Sequence, residues 1–498
     1  MNRHFLLFAA VCLLASLADA QWDDGQPAEY VIGQTTFSGM VGAISSTGLY
    51  GPQAVAVDLE HGKLYVGDTD NHRVLRYAYP ITANGPTAEV VFGQQSFTTN
   101  DPQSFFNATG YWPDPTAAQI LYPMSLAVDH GDLWVCDTYN SRILKFSSAY
   151  SITTNGPPAD AVLGQKDFVT RDYSITDVTA NSFHAWGIFI DANRTLWVAD
   201  PGGSRVLRFD NAYTRLNLSD ADQVLGQPDF VTHTIPSSPS AGVMGVPTSV
   251  WLDGTTLWVC DRDFNRVLRF DNAAAKGNGG LADGVLGQTS FTTGAGATTA
   301  AALNRPYSVC VDNASRVYIG DQSNMRIMIY DNGALKADGA PADHLLGQVG
   351  FYYSIGRVDS VGFNGSYSLR QVNIDTTNGK LLAVDAVSYR VLVFSASGPL
   401  SVGETAPASL PEVVSLSQNY PNPFNPTTVV TFQLPVASDV RLVVCDLLGR
   451  EVAVLVNEKK ASGSYSVRFD ATGLASGVYF YRLVAGGYVE SRKMLLVR

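Results

Sequence analysis

The stretch Asp68–Tyr77, DTDNHRVLRY, has the outline of a catalytic loop, with an acid, a histidine and an arginine close together. The rest of the chain gives it another meaning. The same register returns as DTYNSRILKF from Asp137, DPGGSRVLRF from Asp200, DRDFNRVLRF from Asp261, DQSNMRIMIY from Asp321 and DAVSYRVLVF from Asp385. In every copy an arginine follows the aspartate by five positions, giving the pairs Asp68/Arg73, Asp137/Arg142, Asp200/Arg205, Asp261/Arg266, Asp321/Arg326 and Asp385/Arg390. Each arginine opens a short apolar run that ends in an aromatic residue, the pattern of a buried strand.

Two more strands precede each copy. The nearer ones read KLYVGD, DLWVCD, TLWVAD, TLWVCD, RVYIGD and LLAVD, and the earlier ones AVAVD, SLAVD, GIFID, SVWLD, SVCVD and QVNID. A fourth strand carries VIGQTTF, VFGQQSF, VLGQKDF, VLGQPDF, VLGQTSF or LLGQVGF. The unit recurs about every 60–70 residues, and one such sheet cannot cover both of its own faces, so copies must stack. Six four-stranded units with Gly-rich turns imply an all-β chain built on a six-bladed β-propeller. The D-x-x-N-x-R core followed by an apolar strand resembles the NHL repeat, and the resemblance covers roughly residues 29–396.

The phase of the repeat also implies how the ring closes. The first GQ strand, Tyr30–Phe37, precedes the first complete unit, while the last unit has none after Phe394. The N-terminal strand is therefore expected as the outer strand of blade six, beside Arg390–Phe394, with the Ile32 and Leu392 neighbourhoods in contact.

One substrate is bound once, so chemistry breaks symmetry. A pair that occurs six times around a ring is structural: a charge-assisted hydrogen bond across the loop between second and third strands, with the arginine fork meeting nearby carbonyls. Asn71, Asn140, Gly203 and Asn324, three positions after the aspartate, are expected to take the left-handed turn. The aspartates ending the earlier strand, Asp58, Asp129, Asp191, Asp253, Asp312 and Asp375, repeat in the same way. Cys136 and Cys260 occupy a slot filled elsewhere by Gly67, Ala199 and Gly320, where a small buried side chain is required. The four cysteines beyond residue 20 form no disulfide framework and no C-x-x-C pair.

Bulk properties narrow the function. The 498 residues are 46% hydrophobic and 16% charged, with net charge −12 and no Lys/Arg cluster, which excludes a nucleic-acid partner. Residues 1–20 read as a signal peptide: Arg3 and His4, the apolar run FLLFAAVCLLASLA, and the small residues ADA before Gln21. No later segment is long and apolar enough for a transmembrane span.

Specificity is expected on the face that carries the long, irregular loops before each first strand, residues 98–121, 169–184, 231–246, 292–304 and 352–366. Candidate ligand-binding residues there are Trp112, Tyr139, His184, Trp186, Phe264, Tyr307 and Tyr389, with Tyr122 and Met325 beside them. These side chains suit a glycan, a peptide or a small molecule. Among the seven histidines only His184 stands at the start of an inner strand, and no Ser/His/Asp set is visible, so no catalytic residue, metal or cofactor is expected. The alternative is an extracellular hydrolase or lyase at the channel mouth.

After Phe394 the repeat stops. Residues 399–414 read as a Ser/Ala/Pro-rich linker between a propeller at 21–398 and a small Ig-like β-sandwich at 415–498. That last stretch carries NYPNPFNPTT, LLGREV, GLASGVYFYRL and the closing KMLLVR, and it resembles the type A C-terminal sorting domain of the type IX (Por) secretion system. The resemblance implies that residues 415–498 engage the type IX secretion machinery and that the protein is secreted or held at the outer cell surface. The whole sequence thus reads as an exported propeller serving as a binding or scaffold module.

Overall fold

The computed structural model describes residues 22–101, 106, 110, 112–171, 179–215, 217–396, 414–416, 419, 422–434, 436–460, 463–486 and 488–497. The signal segment, most of the linker and parts of the loops at 98–121 and 169–184 lie outside them. The chain divides into two compact units, Met1–Pro399 and Leu400–Arg498.

The first unit holds six antiparallel four-stranded sheets. Blade one is Ala54–Asp58, Lys63–Asp68, Arg73–Ala78 and Val90–Phe92, and blades two to five repeat this order. Their first strands touch one another in cyclic order, blade six returning to blade one, so they line the axis. Blade six is Leu369–Ile374, Lys380–Asp385 and Arg390–Ser395, completed by the N-terminal strand Tyr30–Ile32. Val31 faces Leu392 and Ile32 faces Val391 across that last ladder, which is the expected closure.

The strands are apolar on both faces because each blade packs between two neighbours. Leu64, Val66, Leu75 and Tyr77 of blade one share a core with Leu382, Val384, Val391 and Val393 of blade six, so hydrophobic packing runs across the closure. Trp134, Trp197 and Trp258, three positions before the staple aspartate, are buried between blades. Cys136, Cys260 and Cys310 are buried and unbridged, and burial pushes their thiols well above the ordinary range.

Each Asp/Arg pair is a buried staple. Arg73, Arg142, Arg205, Arg266, Arg326 and Arg390 are all 0% exposed, so none of them reaches the loop face to meet a ligand. In each blade the arginine Nε donates at 2.7–2.8 Å to Oδ2 of its own aspartate: Asp68, Asp137, Asp200, Asp261, Asp321 or Asp385.

The reach of the arginine is wider than a bond across one loop, because its other nitrogens tie down two further segments. In blade one Arg73 Nη2 donates to the Ser45 and Gly48 carbonyls of the preceding loop, and Nη1 to the carbonyl of Phe97, which closes the GQ strand motif. Arg142 in blade two holds the Thr116 and Gln119 carbonyls through Nη2 and that of Phe168 through Nη1. Arg205 in blade three holds Thr179 and Ser182 on one side and Phe230 on the other. Arg266 reaches Ser240, Val243 and Phe291, and Arg326 reaches Thr299, Ala302 and Phe351. For Arg390 the aromatic partner is Phe37.

The other aspartate oxygen of blade one accepts the Tyr50 amide at 2.6 Å. Burial pushes the carboxyls of Asp68, Asp261, Asp321 and Asp385 up, against the pull of the adjoining guanidinium. The motif's glutamine adds a second link, as Gln94 Nε2 donates to the His72 carbonyl at 3.3 Å and Gln348 to that of Met325 at 3.1 Å.

The left-handed residue is not the one expected. It stands four positions after the aspartate, at His72, Ser141, Ser204, Asn265, Met325 and Tyr389, with φ of 50–55°. A short 3-10 turn, such as Thr69–Asn71, ends there, and the His72 amide donates back to the Thr69 carbonyl at 2.9 Å. Asn71, Asn140 and Asn324 are fixed by another demand: each Nδ2 donates to the staple aspartate at 2.8 Å.

The second unit contains two antiparallel sheets. One is Ser415–Leu416, Thr427–Leu434 and Gly463–Asp470; the other orders Glu451–Lys460, Ser438–Cys445, Gly477–Ala485 and Tyr488–Leu496. Val430 and Phe432 from the first meet Leu442, Tyr481 and Leu483 from the second in one core.

Candidate ligand-binding site

The turn between second and third strands and the loop before the first strand lie on one face, as the Tyr50 amide bonded to Asp68 shows. Within that turn the aspartate, asparagine and arginine serve the staple. The position two after the aspartate does not, and it differs in every blade but two: Asp70, Tyr139, Gly202, Asp263, Ser323 and Val387. It is at such positions that the ring loses its symmetry.

Around blades one, two and six the face is aromatic. Tyr139, 39% exposed, stacks on Tyr122 with ring centroids 4.1 Å apart. Tyr122 meets His72 edge-on at 4.8 Å, and His72 meets Trp112 at 5.4 Å. Trp112 is itself stacked on Phe106 at 4.4 Å. Tyr50, 44% exposed, stacks on Tyr389 at 5.0 Å. Between Tyr50 and Tyr122 opens a cleft of about 540 Å3, also lined by Gly42, Ala43, Asp70, Asn71 and Asn100. Gly51, next to Tyr50, has φ of 55°, and a Cβ there would lie 2.0 Å from Oδ2 of Asp70, which lines the cleft. Burial, followed by the charge of Asp68, raises the Asp70 carboxyl to about 6, against the pull of Arg370.

Blades three to six present cations over rings. The Arg262 guanidinium lies 5.4 Å from the Trp186 ring centre, Arg305 5.9 Å from Tyr367, and Arg370 4.9 Å from Tyr307. A second cleft of about 420 Å3 is lined by Asp263, Asn265, Gly296, Asn304 and Arg305. Trp186 Nε1 and the Tyr307 hydroxyl are buried without a hydrogen-bond partner among the described residues.

The expected residues divide accordingly. Trp112, Tyr122 and Tyr139 form one connected group, and Tyr389 joins it through Tyr50 across the cleft. Trp186 lies under Arg262. His184 Nδ1 is 3.5 Å from Ser141 Oγ, and burial holds its imidazole below the ordinary range, opposed by Asp200. Phe264 lies under the staple guanidinium of Arg266 at 5.2 Å, Tyr307 is only 3% exposed, and Met325 belongs to the core. Sequence reasoning did not single out Asp70, Tyr50, Asn100, Arg262, Arg305 or Arg370. The available signal was the variable position inside an otherwise repeating turn, which marks Asp70 and Asp263. Among the described residues no group of three or more His, Cys, Asp or Glu is placed to hold a metal ion.

Comparison with known proteins fits this architecture. The NHL repeat model matches residues 49–77 and 121–146, and the secretion system C-terminal sorting domain model matches residues 418–497. The chain carries NHL repeats and a type IX secretion tail. The sorting domain indicates that the chain is exported, to the medium or to the cell surface. No curated protein matches it. Among solved structures it is similar to PorZ of Porphyromonas gingivalis, a surface component of the type IX secretion system, at 12% identity and TM-score 0.38. That match covers 89% of this chain, and the chain spans 59% of PorZ. It is also similar to a Bacteroides thetaiotaomicron protein of unknown function, at 11% identity and TM-score 0.43 over 73% of this chain and 75% of that one. Virginiamycin B lyase of Staphylococcus aureus gives 11% identity and TM-score 0.36 over 69% of this chain and 94% of that one.

Proposed function

We propose that the exported NHL-repeat protein is a recognition module that captures a glycan, peptide or small molecule at the loop-face mouth of its propeller. One observation carries this reading. Around the blade-one cleft the loops place exposed aromatic platforms beside buried polar atoms that lack partners among the described residues, Asn71 Oδ1 and Asn100 Oδ1. Flat rings supply contact area at low entropic cost, and an unpartnered buried polar atom is costly until a ligand meets it. The platforms stand on turns locked by the staples, so the site is preorganised.

A hydrolase or lyase at the same mouth is the second reading. Asp70 favours it, because a carboxyl that titrates near 6 suits acid or base work at neutral pH. A glycan and peptide array probed with the purified protein tests both. Retention of intact ligand, lost in Tyr139→Ala and Trp186→Ala, supports recognition; release of cleaved product supports the enzyme.

A further inference from the structure

The geometry points to the blade-one cleft as a receptor for the guanidinium of an arginine side chain on a peptide partner, a reading that rests on the binding role proposed for the mouth. The sixfold repeat supplies internal controls.

The first comparison concerns the turn asparagine. Asn71, Asn140 and Asn324 each commit Nδ2 to a staple aspartate, which fixes where Oδ1 points. Asn140 Oδ1 accepts from Arg171 Nε at 2.7 Å, and Asn324 Oδ1 from Thr298 Oγ1 at 2.7 Å. Asn71 is only 1% exposed, yet its Oδ1 has no partner among the described residues and it lines the cleft.

The second comparison concerns the turn acid. Asp70 and Asp263 hold the same register position. Asp263 accepts from Arg262 Nε at 2.8 Å and lies 3.7 Å from Arg305 Nη2. Asp70 forms no ion pair among the described residues. Arg370, whose charge reaches it, is turned onto the Tyr307 ring, and Asp68 is already bound to Arg73. In blades two and four the chain answers the turn with arginines that hydrogen-bond to it, whereas in blade one no arginine among the described residues makes a hydrogen bond or ion pair to Asp70 or Asn71.

The cleft completes the case. Asn100 Oδ1 is a further buried acceptor without a partner among the described residues, and Tyr50 and Tyr122 flank the opening. A carboxylate and two amide oxygens between aromatic rings match a group that only donates and that favours ring faces. Guanidinium has five donors, no acceptor and a flat face.

The test uses the full chain and a dye-labelled Gly-Arg-Gly peptide, its citrulline twin and a neutral oligosaccharide, at about 0.3 M salt to screen diffuse attraction to the acidic protein. The arginine peptide is expected to bind at least about tenfold more tightly than the citrulline peptide. Asp70→Asn is expected to remove that preference, Asn100→Ala to weaken it, and Asp271→Asn, at a surface acid that lines neither cleft, to leave it within about twofold. Unfolding midpoints of the variants confirm that they fold. Equal binding of both peptides, indifference to Asp70→Asn, or an oligosaccharide held in the cleft in place of the peptide would overturn the assignment. If another ligand still depends on Trp186 or Tyr139, only the guanidinium assignment falls; if none does, the recognition role falls with it.

Discussion

In blade six the guanidinium of Arg390 donates to the main-chain carbonyl of Phe37, 353 positions earlier. The same side chain gives Nε to Asp385 at 2.8 Å, so one buried ion pair holds both ends of the propeller chain. Closure is therefore built from the same part as every other blade.

Removal of residues 22–37 takes away the outer strand of blade six and the Phe37 acceptor together. The unfolding free energy is expected to fall by more than about 3 kcal/mol, with a buried charge network broken and a ladder lost. Limited proteolysis should then cut first within residues 369–395. Cleavage spread evenly over the blades would contradict this closure.

The corrected turn makes a sharp distinction between adjacent residues. Asn140→Gly removes side-chain bonds to Asp137 and Arg171 and is expected to cost about 1–3 kcal/mol. Ser141→Gly places glycine at φ of 50° and is expected to change stability by less than about 1 kcal/mol. Chemical denaturation of the two variants measures both. The reverse order would restore the turn as read from sequence.

Asp70 sets stability against recognition. Its carboxyl rises from 3.8 to about 6 on folding, so between those values the folded state holds more protons than the unfolded one. Its contribution is favourable when the acid is neutral and is lost as pH climbs through 6. Asp70→Asn is thus expected to raise the unfolding free energy at pH 8 by about 1 kcal/mol, after discounting for solvent screening, and to do nothing near pH 3. Thermal unfolding at the two pH values checks the sign. Loss of stability in the variant at pH 8 would refute it.

The exposed stack of Tyr139 on Tyr122 belongs to the mouth and not to the blade. Tyr139→Ala is expected to leave the midpoint within about 0.5 kcal/mol of the parent while weakening an array-identified ligand by about tenfold. Calorimetric titration and denaturation on the same sample separate these effects.

The architecture was legible because repetition multiplies weak signals. One DTDNHR is ambiguous, but six copies in phase fix the blade count, the buried role of Arg73, Arg142, Arg205 and their three counterparts, and the docking of Tyr30–Ile32 on blade six. The left-handed position falls one residue later than the sequence suggests, because asparagine favours both the turn and a side-chain bond, and here the bond to Asp68 decides. The Phe97 and Gln94 links stayed hidden, since hydrogen bonds made by a carbonyl or between distant segments leave no periodic trace. The mouth was only partly legible. Trp112, Tyr139 and Tyr389 stand out by type, whereas Asp70 and Arg370 matter through burial and proximity that arise when the turn of blade one meets the first strand of blade six.

The most direct test replaces the six staple arginines, Arg73, Arg142, Arg205, Arg266, Arg326 and Arg390, with methionine, one blade at a time. The unfolding midpoint and ligand affinity of each folded variant are recorded. A framework role requires every substitution to lower stability by about 3–5 kcal/mol while the folded fraction binds as before. A single blade whose substitution spares the midpoint and abolishes binding would show that its staple is a site after all.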